Sequence, residues 1–243
     1  MMKKWGLAIF AVVLAFTACK NDDDFKEPSI ADQNKWDDDA ILAYLEDHYF
    51  EPELGIIKRF DATDSTDDEH PTLLSQGTKL PSGVWIVKKN DYVAEGRSVV
   101  DNTQDSILLS YETKIFQANY EDLDEGQKPY TNNFQHLYST INASGSPNWD
   151  PHFYYKEITE PMAQNNINLS HFVVEGFVEG LKHFKSTDTD GNDVFSFQGA
   201  ILVPSRLAFS RDVNYVSGSP SYGFRNMTFI FNFELHKVVD RAE

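Results

Sequence analysis

Apolar and polar residues alternate with a period of two over much of the second half of the chain. From Met227 to Val239, Phe229, Phe231, Phe233 and Leu235 interleave with Thr228, Ile230, Asn232 and Glu234, the pattern of a strand with one face turned to a core. Val194 to Val203, Gly83-Val84-Trp85-Ile86-Val87 and Ser106 to Tyr111 are aromatic and β-branched runs bounded by turn residues, and they too are predicted as strands. Between them the period lengthens. Phe177, Leu181 and Phe184 share one face at i, i+4 and i+7, which predicts a helix over about Gly176 to Lys185. Upstream, Asp37-Asp38-Asp39 precede Ile41, Leu42, Tyr44 and Leu45, acids ahead of an apolar stripe that suit the start of a short amphipathic helix. Strands around a single helix predict an α+β domain with an antiparallel sheet, and no internal repeat is visible.

The first residues follow another logic. Met1-Met2-Lys3-Lys4, an apolar run from Trp5 to Phe16, and Thr17-Ala18-Cys19 form the basic, apolar and small-residue regions of an export signal. The run is too short to span a bilayer comfortably. A cysteine at its end resembles the lipobox of bacterial lipoproteins, which implies cleavage after residue 18 and a lipid on Cys19. Asn21-Asp22-Asp23-Asp24 then looks like an acidic tether, and from Lys20 to about Lys35 no apolar period supports structure. The expected location is the outer membrane, facing the periplasm or the surface.

Composition narrows the chemistry. The net charge of −17 repels a phosphate backbone and argues against nucleic acid as the main partner. One cysteine excludes an intramolecular disulfide framework or a multi-thiolate metal site. The seven histidines form no short-range metal motif. Ser217 to Gly223 lacks the spacing of a nucleophile elbow and the lysine of a phosphate loop, and Asp188 to Asp193 reads as a turn, its glycine coming too early for an EF-hand. No pair among the many carboxylates stands out as an acid and base.

Three segments, in order, resemble the FKBP-type peptidyl-prolyl isomerase family. Asp105 to Tyr111 is similar to the family's strand ending V-x-V-x-Y. Phe172-Val173-Val174-Glu175-Gly176-Phe177-Val178-Glu179-Gly180-Leu181 resembles V-I-x-G-W-x-E-G-[VL], the entry to its helix. Val203-Pro204-Ser205-Arg206-Leu207-Ala208-Phe209-Ser210, continued at Asn226 to Leu235, is similar to I-P-S-x-L-A-Y-G and N-A-T-L-x-F-x-V-E-L. The resemblance covers roughly Leu80 to Val239. It implies an antiparallel twisted sheet wrapped around one short helix, with an N-terminal helical extension and an aromatic-rich insertion. The organisation it suggests is a signal peptide over 1–18, an acidic tether with a short helix over 19–79, and an FKBP-like domain over 80–240 interrupted at about 116–165.

The resemblance implies that Tyr111, Val173, Val174, Phe177, Phe209 and Phe231 form the catalytic pocket, with no cofactor and no metal. Rotation about an X-Pro amide crosses a barrier of about 18–20 kcal/mol without covalent chemistry, so an aromatic cup that favours the twisted amide needs no titrating group. Taken by themselves, the same aromatics read as core packing. Three departures bear on activity. Phe177 stands where the family usually has Trp, and Phe209 replaces a tyrosine, which removes a hydrogen bond of about 0.5–1.5 kcal/mol to a substrate carbonyl. No F-D-x-S follows the Tyr111 strand, so the acidic partner expected for Tyr111 has no place.

The interval from Tyr111 to Val173 is longer than the family's and holds Phe116, Tyr120, Tyr130, Phe134, Tyr138, Trp149, Phe153, Tyr154 and Tyr155. These aromatics suit a lid over the pocket, a contact surface for a partner or glycan, or an enlarged core. The expected function is a lipid-anchored prolyl isomerase or folding assistant of weak activity, acting on proline-containing segments of exported proteins. The alternatives are a catalytically inactive FKBP-like binding module on the cell envelope and a surface protein for carbohydrate capture.

Overall fold

The structure, a computed structural model, describes residues 27–242 apart from 91, 121–122, 142–144 and 192–194. Cys19 and the acidic run after it lie outside the described residues, as does Val194. In chain order the elements are α1 (Ile30–Asp47), β1 (His48–Phe50), β2 (Ile57–Arg59), α2 (Leu73–Gln76), β3 (Gly77–Lys79), β4 (Trp85–Lys88), β5 (Asp105–Gln117), β6 (Gln135–Ser139), β7 (Asn148–Trp149), α3 (Glu160–Gln164), α4 (Glu175–Leu181), β8 (Gly199–Val203) and β9 (Met227–Asp240).

β1 and β2 form a separate hairpin. The main sheet runs β3-β4-β8-β9-β5-β6, with β7 also paired to β5, and every pairing is antiparallel. Its spine is the long ladder between β5 and β9, which runs from the pair Asp105 and Asp240 to the pair Gln117 and Met227 with one irregularity at Leu108/Leu109. This is the architecture the resemblance implies, an antiparallel sheet wrapped around one short helix.

Both faces of that ladder are buried. On one, Ile107, Leu109, Tyr111 and Ile115 join Phe229, Phe231, Phe233 and Leu235 beneath α4. Two glycines allow the close approach. A Cβ on Gly176 would meet Val203 Cγ1 at 2.5 Å, and one on Gly180 would meet Ile201 Cγ2 at 2.7 Å. The pair is spaced one helical turn apart, so a single face of α4 is bare enough to lie on the sheet.

On the other face α1 packs Ala40, Ile41, Tyr44 and Leu45 against Phe116, Ala200, Leu202 and Ile230. α1 is longer than its apolar stripe predicts and begins at Ile30, where Ser29 Oγ accepts the Asp32 N–H at 3.0 Å. The sequence hid this first half because the residues facing inward there, Gln33 and Asp37, are polar. Asp37 accepts hydrogen bonds from the Ser205 N–H at 2.8 Å, the Ser205 hydroxyl at 2.5 Å and Gln33 Nε2 at 2.8 Å. Burial nonetheless pushes its carboxyl up to about 6.

Candidate functional site

The six pocket residues expected from the sequence come together. Tyr111 on β5, Val174 at the mouth of α4, Phe177 on α4, Phe209 after the turn at Ser205–Leu207, and Phe231 on β9 belong to one buried cluster, with Val173 packed against it. They do not enclose a hollow. Phe177 lies flat on Phe231, ring centroids 3.9 Å apart and planes 13° from parallel, so each covers a face of the other.

The remaining space belongs to Phe153, from the insertion. Its ring stands edge-on to Phe229 at 5.1 Å, Phe224 at 5.6 Å, and Phe209 and Phe231 at 6.1 Å. Tyr138 closes a further side at 5.6 Å. Only 1% of Phe153 is exposed. Its carbonyl accepts the Val174 N–H at 3.0 Å, and Phe153 forms a parallel bridge with Val173. The backbone donor at the start of α4 is therefore taken as well as the aromatic space.

Phe153 is held there by the strap from Asn148 to Tyr155. Asp150 Oδ1 accepts the Ile107 N–H at 3.1 Å, its Oδ2 accepts the Ser106 hydroxyl at 2.8 Å, and Arg241 donates to the same carboxylate at 2.6 Å. On the far side, the Tyr154 hydroxyl donates to the Asp105 carbonyl at 3.2 Å and the Tyr154 carbonyl accepts Asn102 Nδ2 at 2.7 Å. Between these anchors Phe153 adopts φ +73° and Asp150 φ +44°. A left-handed backbone costs an L-residue about 1–2 kcal/mol, which the surrounding contacts must exceed. The expected acidic partner of Tyr111 is replaced by the strap too. Burial pushes the Tyr111 hydroxyl up, opposed by hydrogen bonds from the Asn148 side chain and the His152 backbone.

On the outer side of the strap lies an open cleft of about 730 Å³. Trp149, His152 and Tyr155 form one wall, Met162 of α3 and Ile167 another, and Phe172 with Tyr215 a third. Trp149 is 51% exposed. His152 stacks on Tyr138 at 4.0 Å, and burial, helped by Lys156, holds its imidazole below the ordinary value. Arg241 lies 3.5 Å from the Tyr155 ring centroid, so one guanidinium joins the cleft wall to the Asp150 anchor.

Sequence reasoning named Phe153 and its neighbours only as members of the aromatic insertion. The structure divides the residues of that insertion between core and surface. Phe153 and Tyr154 enter the core beneath α4, Phe116 and Tyr130 enter the core beneath α1, and Trp149 stays outside. The Asp188 to Asp193 segment, as far as it is described, is drawn onto β9 by Thr189 Oγ1 to His236 Nδ1 at 2.8 Å and by the pair of Asp190 with Lys237. Among the described residues, no group of three or more His, Cys, Asp and Glu side chains is placed to hold a metal, and no helix is long and apolar enough to cross a membrane.

No family model and no curated protein matches this chain. Solved structures do. FkpA from Escherichia coli is similar at 17% identity and a TM-score of 0.37, over 69% of this chain and 53% of FkpA, so the chain spans about half of FkpA's length. A peptidyl-prolyl cis-trans isomerase from Pseudomonas syringae pv. tomato is similar at 11% identity and a TM-score of 0.31, over 72% of this chain and 86% of that one. AtFKBP13 is similar at 17% identity and a TM-score of 0.34, over 67% and 98% of the two chains. In this chain β5, α4, β8 and β9 carry, in that order, the three segments that resemble the FKBP-type family.

Proposed function

We propose that this protein is an FKBP-like binding module of the cell envelope that holds extended, proline-bearing segments of exported proteins without isomerising them. One observation carries the reading: Phe153 fills the aromatic cup and its carbonyl takes the Val174 N–H, so a proline amide has neither space nor a hydrogen-bond donor. Anchors on both sides of Phe153 oppose its departure. The weak isomerase implied by the family resemblance requires that departure, and Phe209 supplies no hydroxyl in its place.

Binding is assigned to the outer cleft, where Trp149, Tyr155, Phe172 and Tyr215 offer flat, rigid faces of the kind that dock proline-rich chain. The export signal and Cys19 support a lipid anchor, and with it a place on the outer membrane facing the periplasm or the surface. The test uses the full chain at high concentration with a panel of proline peptides. No acceleration of cis-trans exchange is expected, together with saturable binding of a proline-rich peptide that Trp149→Ala weakens. Measurable acceleration by the unaltered protein overturns the reading.

A further inference from the structure

A second pocket, of about 200 Å³, lies on the opposite end of α4 from the strap, bounded by Lys88, Tyr92, Ala94, Ser98, His183, Phe184, Lys185 and Gln198. Its chemistry is opposite to that of the chain. With 38 acidic and 21 basic residues in the sequence, a random patch of this surface carries more carboxylates than cations. Among the described residues its lining holds no carboxylate, while Lys88, His183 and Lys185 all belong to it.

The cations are not spoken for. Among the described residues Lys88, His183 and Lys185 form no ion pair, whereas many of the other lysines and arginines do, among them Lys35, Lys79, Lys128, Arg206 and Arg241. Lys88 instead stands 5.5 Å from the centroid of the Phe184 ring, a cation held over an aromatic face at the pocket floor. The floor itself is rigid. Gln198 is buried, its Nε2 donating to the Lys185 carbonyl at 3.1 Å and its Oε1 accepting the Leu235 N–H at 2.9 Å. One wall is stitched by the Ser98 and Lys185 bridge and by the Gly96 N–H donating to the Ser186 carbonyl at 2.9 Å. Glu234, which accepts the hydroxyl of the lining residue Tyr92 at 3.1 Å, also accepts the Ser196 N–H at 2.8 Å, so it is turned to donors of its own.

Unpaired like charges on a shared rim repel, and an oxyanion between them relieves that repulsion while accepting charge-assisted hydrogen bonds. We infer that this pocket binds a phosphate-type oxyanion through Lys88, Lys185 and His183, with the Ser98 hydroxyl as a further donor. The anion has two sources with one chemistry: free inorganic phosphate or an anionic phospholipid headgroup.

The experiment titrates the full chain with inorganic phosphate, following the His183 ring signals by NMR. In parallel it measures cosedimentation with vesicles of phosphatidylglycerol and of phosphatidylcholine. Lys88→Gln and Lys185→Gln, singly and together, are compared with Lys58→Gln, a charge removed from the distant β2. Saturable phosphate binding is expected, weakened about tenfold or more by the double change and little by Lys58→Gln. Cosedimentation with phosphatidylglycerol above phosphatidylcholine, lost in the same double variant, assigns the headgroup; phosphate binding without it assigns the free anion. Both variants lie on the surface and keep the fold, which their unchanged melting checks. The inference is overturned if neither phosphate nor phosphatidylglycerol binds, or if Lys58→Gln weakens binding as much as the double change does.

Discussion

The cup and the cleft share one wall, the strap from Asn148 to Tyr155, and they use it in opposite ways. On its inner side the strap spends a strained phenylalanine and a backbone carbonyl to close an aromatic space; on its outer side it leaves a tryptophan in water. The inner contact is edge-to-face packing in a dry core, where each ring is surrounded and a methylene matters. The outer one is an apolar face left half exposed among the described residues, which is what a binding surface requires. The residues predicted to form a pocket thus stay together with no hollow between them, while the open cleft lies one chain thickness away.

Substitutions can break or sharpen this contrast. The largest effect is expected at Phe153. Phe153→Ala removes a fully buried ring and is expected to lower the unfolding free energy by about 3–5 kcal/mol in denaturant titrations. Phe153→Gly, which suits φ +73°, should cost about 1–2 kcal/mol less than alanine there. If alanine and glycine are equally costly, the strain assigned to Phe153 is not real. Next comes the anchor. Asp150→Ala removes the carboxylate that pairs with Arg241 and accepts the Ile107 N–H, and is expected to cost about 1.5–3 kcal/mol.

Restoring the missing hydroxyl tests the closed cup directly. Phe209→Tyr is expected to give no isomerase activity while Phe153 is in place, and activity from that single change would show that the cup admits substrate.

Acidification should act on the strap. His152 has its folded pKa below the ordinary 6.5, so its contribution is complete above that value and is lost as pH falls through the folded pKa. Burial also depresses His48, to about 4, and His236, and both add to the same loss. His152→Phe keeps the stack on Tyr138 and cannot be protonated, so its stability should fall less steeply below pH 6.5 than that of the unaltered protein. The smallest stability effect is expected outside. Trp149→Ala should change unfolding by no more than about 0.5 kcal/mol, yet weaken a proline-rich peptide about tenfold.

Much of the fold was legible because its strands and its central helix carry their own periods. Phe229, Phe231, Phe233 and Leu235 point one way on β9 as their alternation requires, and Phe177 and Leu181 meet the sheet from α4. The start of α1 was not legible, since Asp37 looks like a solvated acid until Ser205, far along the chain, donates to it twice. Nor did alternation reveal that the intervening residues of β9 are buried as well, because Asn232 satisfies its amide on the Gly55 and Gly199 carbonyls, which no local pattern announces. The candidate site divides the same way. Its six residues could be found by motif, whereas its occupant lies in the insertion, outside the three resembling segments.

The order of polar and apolar residues by itself determined the strands and the α4 helix, because those follow from short-range geometry and a shared need to leave water; the convergence of Tyr111, Val174, Phe177, Phe209 and Phe231 was implied by motifs that resemble a known family. Whether that convergence leaves an empty space was decided only in three dimensions. Packing density is a property of all the side chains that meet at a point, and the one that completes it here, Phe153, is placed because its neighbours Asp150 and Tyr154 are anchored to residues far along the chain, Ser106, Ile107 and Arg241 on one side and Asn102 and Asp105 on the other.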